Sequence, residues 1–227
     1  MRICAGEKLD NPRFKAFVFD LDGTLLNTLP DLTALTNAVL ERNGYRTYSE
    51  ADIRSFVGDG VKVLLQRALP MGTSAEEIDR LMGEWKKCYP EFGYELTKPY
   101  PHLPETLDEL CRRGAKLGAL SNKFDAAARE VIGTFLPGRF TVVHGESADT
   151  PRKPDPTGLK KTMAELGVDP ADTAYIGDSA GDVTTAVRAG AFPIGVSWGY
   201  QDVERLEECG ARIIIDDPRE LVRFSAE

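Results

Sequence analysis

The sequence predicts an α/β fold, a parallel sheet with helices on both faces, interrupted after its first strand by an all-helical insertion. Three observations carry this. Short apolar runs recur at 14–19, 115–120, 140–143, 173–176, 192–196 and 212–215. Helical patterns lie between the later runs, and strands that alternate with helices imply right-handed crossovers and a parallel sheet. Between about Leu29 and Lys98 there are helix signals and no strand pattern.

Taken in order, Phe14-Lys15-Ala16-Phe17-Val18-Phe19 reads as a buried strand ending at Asp20. The insertion opens at Pro30 with an amphipathic run through Leu32, Leu35 and Val39 that ends before Gly44. Ser49 with Asp52 and Ser74 with Glu77 have the capping-box pattern, and 61–69 and 76–89 fit two further helices. The chain returns to the sheet near Pro99-Tyr100-Pro101. Helices are then expected at 103–113 and 124–135. Asp155-Pro156 reads as an N-cap followed by proline at the first helical position, opening a helix that stops near Gly167. The helix from Ser179 to Ala189 ends at Gly190, a C-terminal cap. The tail at 218–224 reads as a closing helix or a partner surface. Two domains follow: an α/β core of residues 14–28 and 99–227, and a helical domain of residues 29–98.

Composition narrows the function. The 227 residues are 42% hydrophobic and 28% charged, a globular mix, and the net charge of −8 opposes a general nucleic-acid or anionic-membrane binder. No apolar run approaches the ~20 residues of a membrane helix. The start, with Arg2, Glu7, Lys8 and Asp10, has no signal-peptide core. The four cysteines are scattered, without zinc spacing, so the expectation is a reduced, cytoplasmic protein, monomer or homodimer, acting on a small molecule. A phosphate-bearing ligand would need a local positive site and a metal's help.

The chemistry concentrates at strand ends, where ligands collect in open parallel sheets. Asp20-Leu21-Asp22-Gly23-Thr24 follows the first strand. Two carboxylates so close repel unless a cation or ligand offsets them, although Asp-Gly is also a common turn signal. The strand 173–176 leads into Gly177-Asp178-Ser179-Ala180-Gly181-Asp182. A helix from Ser179 would bring Asp178 and Asp182 together, while helix capping alone also favours acids there. Acidic pairs at two strand ends of one sheet suit a hard divalent cation such as Mg²⁺. Ser121-Asn122-Lys123 ends another strand and offers phosphate donors. Arg152-Lys153-Pro154-Asp155-Pro156 sets a lysine just before a helix.

In this order, Asp20-x-Asp22-Gly23-Thr24, Ser121, Lys153 and Gly177-Asp178-x3-Asp182 resemble the four motifs of the haloacid dehalogenase (HAD) superfamily of phosphatases. The resemblance runs from about Phe14 to Gly199 and implies a Rossmann-like core with a C1-type helical cap. Phe56-Val57-Gly58-Asp59-Gly60-Val61 and Leu120-Ser121-Asn122-Lys123 resemble the phosphoglycolate phosphatase branch, whose usual cap form has Asn where this chain has Asp59.

The resemblance implies Asp20 as nucleophile and Asp22 as general acid/base. It implies Mg²⁺ held by the Asp20 carboxylate, the Asp22 backbone carbonyl and Asp178, with Asp182 orienting Lys153 or a metal-bound water. Thr24, Ser121, Asn122 and Lys153 would cradle the phosphoryl group, Ser121 and Lys153 serving catalysis as well. Gly58, Asp59 and Gly60 would meet the substrate, or form a plain interhelix turn. Lys62 and Arg67 stand nearby as cations for a second anion, or as solvated charges. His102 and His144 lie outside the motifs. Alternatives are a phosphatase of another small substrate (sugar phosphate, nucleotide or pyrophosphate), a phosphomutase, and a phosphoacceptor signalling domain. The last resembles a bare doubly wound fold with no helical insert.

Overall fold

The computed structural model describes residues 1–4, 12–92 and 94–226, so Glu7, Lys8 and Asp10, on which the reading of the start rests, lie outside the described residues. The chain divides into two compact units, Met1–Leu26 with Pro99–Glu227, and Asn27–Lys98.

The first unit is built on a seven-stranded sheet. Its strands are β1 (Arg2–Ile3), β2 (Ala16–Phe19), β5 (Lys116–Phe124), β6 (Val142–Glu146), β7 (Thr173–Gly177), β8 (Phe192–Val196) and β9 (Ile213–Ile215). Two short strands, β3 (Leu26–Asn27) and β4 (Lys98–Pro99), form a separate ribbon. The order in the sheet is β1-β9-β8-β7-β2-β5-β6, with β1 antiparallel to β9 and all other pairs parallel. Helices cover both faces, as a parallel sheet requires.

The register explains where a site forms. Strand β2 pairs with β5 on one side and β7 on the other, Phe19 lying level with Ala119 and with Ile176. The connection from β2 runs to β5, and the chain then crosses to the opposite side of β2 to make β7. The strand order therefore reverses between β2 and β7, and such a switch point opens a crevice at the carboxyl ends of the strands.

All four residues of β2 are buried. Ala16 and Val18 face a core with Leu120 and Tyr175, completed by Leu159, Met163 and Leu166 of α7 (Thr157–Leu166) and by Ala186 and Ala189 of α8 (Ala180–Ala189). The tail forms a 3-10 helix, Pro218–Phe224, capped by Asp217. It is tied to the residues ahead of β2 by Phe14 N donating to Phe224 O and Ala226 N donating to Phe14 O. The remaining helices of this unit are α5 (Leu103–Arg112), α6 (Asp125–Phe135) and α9 (Val203–Glu208).

As expected, β5 ends in Ser121, Asn122 and Lys123, closing at Phe124, with a register shift against β6 after Leu120. Two local expectations need correction. His144 lies inside β6 rather than beyond a strand end, and its Nε2 is 3.1 Å from Glu165. The N-cap of α7 is Pro156, not Asp155; Asp155 instead accepts the Thr157 N–H at 2.8 Å, closing a side-chain turn ahead of the helix.

The second unit holds α1 (Leu29–Arg42), α2 (Glu50–Phe56), α3 (Val61–Ala68) and α4 (Ala75–Phe92). Its core includes Leu35, Val39, Ile53, Leu65, Leu81 and Trp85. Ser49 and Asp52 form the expected capping box, and Ser74 Oγ accepts the Glu77 N–H.

Leu159→Ala should lower unfolding stability by about 2–5 kcal/mol, because it empties a fully buried position against β2. Val187→Ala, at a half-exposed position of α8, should change it by less than about 0.5 kcal/mol. Urea unfolding of both variants checks the pair.

Candidate active site

Asp20 leaves the end of β2 with its N–H on the Ile176 carbonyl of β7. Beyond it the chain coils tightly, the N–H groups of Leu25 and Leu26 both donating to the Leu21 carbonyl. Lys153, in the segment ahead of α7, is buried, and its Nζ lies 2.6 Å from Asp20 Oδ1 and 2.6 Å from Asp182 Oδ1. Asn122 clasps the lysine's backbone: its Oδ1 accepts the Lys153 N–H at 2.8 Å and its Nδ2 donates to the Lys153 carbonyl.

Asp178 and Asp182 come from the turn between β7 and α8. Asp182 is the third residue of α8, and its Oδ2 accepts from the Ser179 N–H and hydroxyl in a reciprocal capping box. Its Oδ1 accepts from Lys153 and from the Tyr175 hydroxyl at 3.1 Å. One carboxylate thus caps a helix and holds the lysine. Asp178 accepts from the Thr24 hydroxyl at 3.0 Å and the Tyr200 N–H at 2.7 Å. Glycine makes room for both acids. A Cβ on Gly177 would overlap Asp182, and one on Gly23 or Gly199 would overlap Asp178. Gly23 also holds a φ of +87°, which side-chain-bearing residues rarely adopt.

The expected acids therefore meet. Ligand atoms of Asp20, Asp178 and Asp182 all lie within 4.8 Å of one another, and all three residues are buried. Burial, together with the Asp182 charge, holds the Asp20 carboxyl well above the usual carboxylate range, against the pull of Lys153. Burial and Asp182 likewise push Asp178 up to about 7. Burial alone would lower the Lys153 ammonium, but the charges of Asp182 and Asp20 hold it raised. Three buried carboxyl groups facing one buried ammonium favour a further cation, and hard oxygen donors in that arrangement suit a divalent one.

The structure gives other expected residues specific partners. Asp22, next along the coil, has both oxygens at 3.0 and 3.1 Å from Lys123 Nζ. Ser121 Oγ accepts the Lys123 N–H at 3.1 Å. Thr24 is fully buried; its hydroxyl goes to Asp178 and its carbonyl accepts the Trp198 indole N–H. In the helical unit, Gly58 and Gly60 both have positive φ, and Gly60 is the N-cap of α3. Asp59 pairs with Arg67 and Lys62 with Asp79, so both nearby cations have acidic partners.

Three contributors escape a motif reading. Tyr175 had a signal, a phenol in the middle of a buried strand, since a buried tyrosine needs a partner. Lys123 stood in view beside Ser121 with no role attached. The Tyr200 N–H on Asp178 is a backbone contact that no residue identity announces.

Asp178 sets a pH dependence. In the folded chain its pKa is raised to about 7, while in the unfolded chain it is ionised above the ordinary carboxylate value of 3.8. The folded state therefore carries the extra proton between these limits, and stability should fall as pH rises through them. Asp178 alone should contribute up to about 1.4 kcal/mol per unit, its share ending near pH 7, and Asp20 adds to the fall in the same direction. Urea midpoints from pH 5 to 8 in chelator check this, and a level profile contradicts it.

The haloacid dehalogenase-like hydrolase family matches residues 17–196. An N-acetylmuramic acid 6-phosphate phosphatase of Pseudomonas aeruginosa is 32% identical over 92% of this chain and 94% of its own. A phosphoglycolate phosphatase of Vibrio parahaemolyticus is 31% identical over 93% and 96%. A solved structure from Lactobacillus delbrueckii subsp. bulgaricus superposes with a TM-score of 0.89 at 30% identity, covering 95% of this chain and 100% of that one. The chain is a phosphatase and belongs to the haloacid dehalogenase-like hydrolase family.

Proposed function

We propose that the chain hydrolyses a small phosphate monoester, 2-phosphoglycolate foremost, through an aspartyl-phosphate on Asp20. The observation that carries this is the buried convergence of Asp20, Lys153, Asp178 and Asp182 at the switch point of the sheet.

Asp20 Oδ attacks phosphorus, forming an O–P bond as the ester O–P bond breaks, and Asp22 gives its proton to the leaving oxygen. Water then attacks the aspartyl-phosphate, Asp22 takes a proton from it, and inorganic phosphate leaves with Asp20 restored. Lys153 and Ser121 hold the transferring phosphoryl oxygens, with Asn122 fixing the lysine's backbone. Asp182 keeps Lys153 on station, since its own oxygens are taken by Ser179, Tyr175 and that lysine. Asp20, Asp178 and the Asp22 carbonyl fit Mg²⁺, which supplies charge neutralisation on a phosphate oxygen when bound. Thr24 acts by bracing Asp178. Gly58, Asp59 and Gly60 keep the substrate-reading role that the family resemblance implies. The four unpaired cysteines support a reducing, cytoplasmic setting.

N-acetylmuramic acid 6-phosphate is the second reading, favoured by the Pseudomonas relative at similar identity. Phosphate release from both esters, with Mg²⁺ and again with chelator, separates the two. Turnover should require the metal, and Asp20→Asn should reduce it about 1,000-fold or more while unfolding stays cooperative. A purified Asp20→Asn protein with near wild-type turnover overturns the nucleophile assignment.

A further inference from the structure

The steps above leave one buried cation without work. Lys123 lies on the extension of β5, two residues past Ser121, its side chain only 6% exposed. Its Nζ faces both Asp22 oxygens, yet the Asp22 side chain is 22% exposed and reaches water. The lysine's position suggests another use. The leaving oxygen must come within hydrogen-bond reach of Asp22, so it lies within about 6 Å of the Lys123 ammonium. A carboxylate borne on the ester carbon can turn toward that ammonium.

The charge balance points the same way. An anionic leaving group entering beside Asp22 meets a carboxylate, and Lys153 serves Asp20, Asp182 and the transferring phosphoryl oxygens. A second cation is needed on the leaving-group side. We infer that Lys123 is a specificity-determining residue whose ammonium receives a carboxylate carried by the leaving group. The substrate carboxylate would share that ammonium with Asp22. This rests on the phosphomonoesterase reading above and deepens it to a substrate class, phosphate esters of small hydroxy acids.

The test compares kcat/KM, with Mg²⁺, for 2-phosphoglycolate and 2-hydroxyethyl phosphate, which replaces the carboxylate by a neutral group of similar reach. The wild type should prefer 2-phosphoglycolate by about tenfold or more. Lys123→Met should shrink that ratio by about 10- to 100-fold, chiefly through KM, and Lys123→Arg should keep most of it. Equal slowing of both esters by Lys123→Met, or no wild-type preference, overturns the inference and leaves the phosphatase reading standing. No phosphate from either ester or from N-acetylmuramic acid 6-phosphate removes the phosphatase reading and the inference with it. If Lys123→Met does not fold, the wild-type ratio and Lys123→Arg decide the matter.

Discussion

The α/β unit depends on one buried ammonium. Lys153 sits 2.6 Å from both Asp20 and Asp182, acids brought together because β2 and β7 are neighbours in parallel register. Without that lysine, carboxylates buried at adjacent strand ends would repel one another and take up protons instead of holding charge. Much of the surrounding structure keeps the lysine placed. Asn122 grips its backbone from the neighbouring strand, and Asp182 is itself held by Ser179 and Tyr175.

This arrangement divides labour among three acids of the same chemical type. Asp182 has its oxygens occupied by a helix cap, a tyrosine and the lysine, and so acts as a fixture. Asp178 is braced by Thr24 and by the Tyr200 backbone, with glycine backbones packed where any side chain would displace it. Asp20 faces Lys153 and takes its N–H bond from the neighbouring strand. The different environments, more than the residue type, separate the proposed nucleophile, Asp20, from the proposed metal ligand, Asp178, and the positioning group, Asp182. The same logic extends to Asp22, whose partner Lys123 comes from β5 on the other side of β2.

The legible part of the site was the part written in residue identity and short spacing. Asp20-x-Asp22-Gly23-Thr24 and Gly177-Asp178-x3-Asp182 follow strands with a clear apolar signature, and the order of motifs along the chain pointed to a shared crevice. The partners were harder. Thr24 and Asn122 have side chains suited to phosphate, and the fold turns those side chains toward Asp178 and the Lys153 backbone. A threonine hydroxyl serves either use equally well, so composition cannot decide between them.

The sequence by itself determined the α/β alternation, the helical insertion and the acids that gather at strand ends, because periodicity and capping act over a few residues. Tertiary structure decided which acid faces which cation. The pairs Asp20 with Lys153 and Asp22 with Lys123 join segments more than a hundred residues apart. The β2–β5 pairing brings Lys123 to Asp22, and the reversal of strand order brings β7 with Asp178 and Asp182 to the same crevice, a spatial neighbourhood that no local pattern encodes.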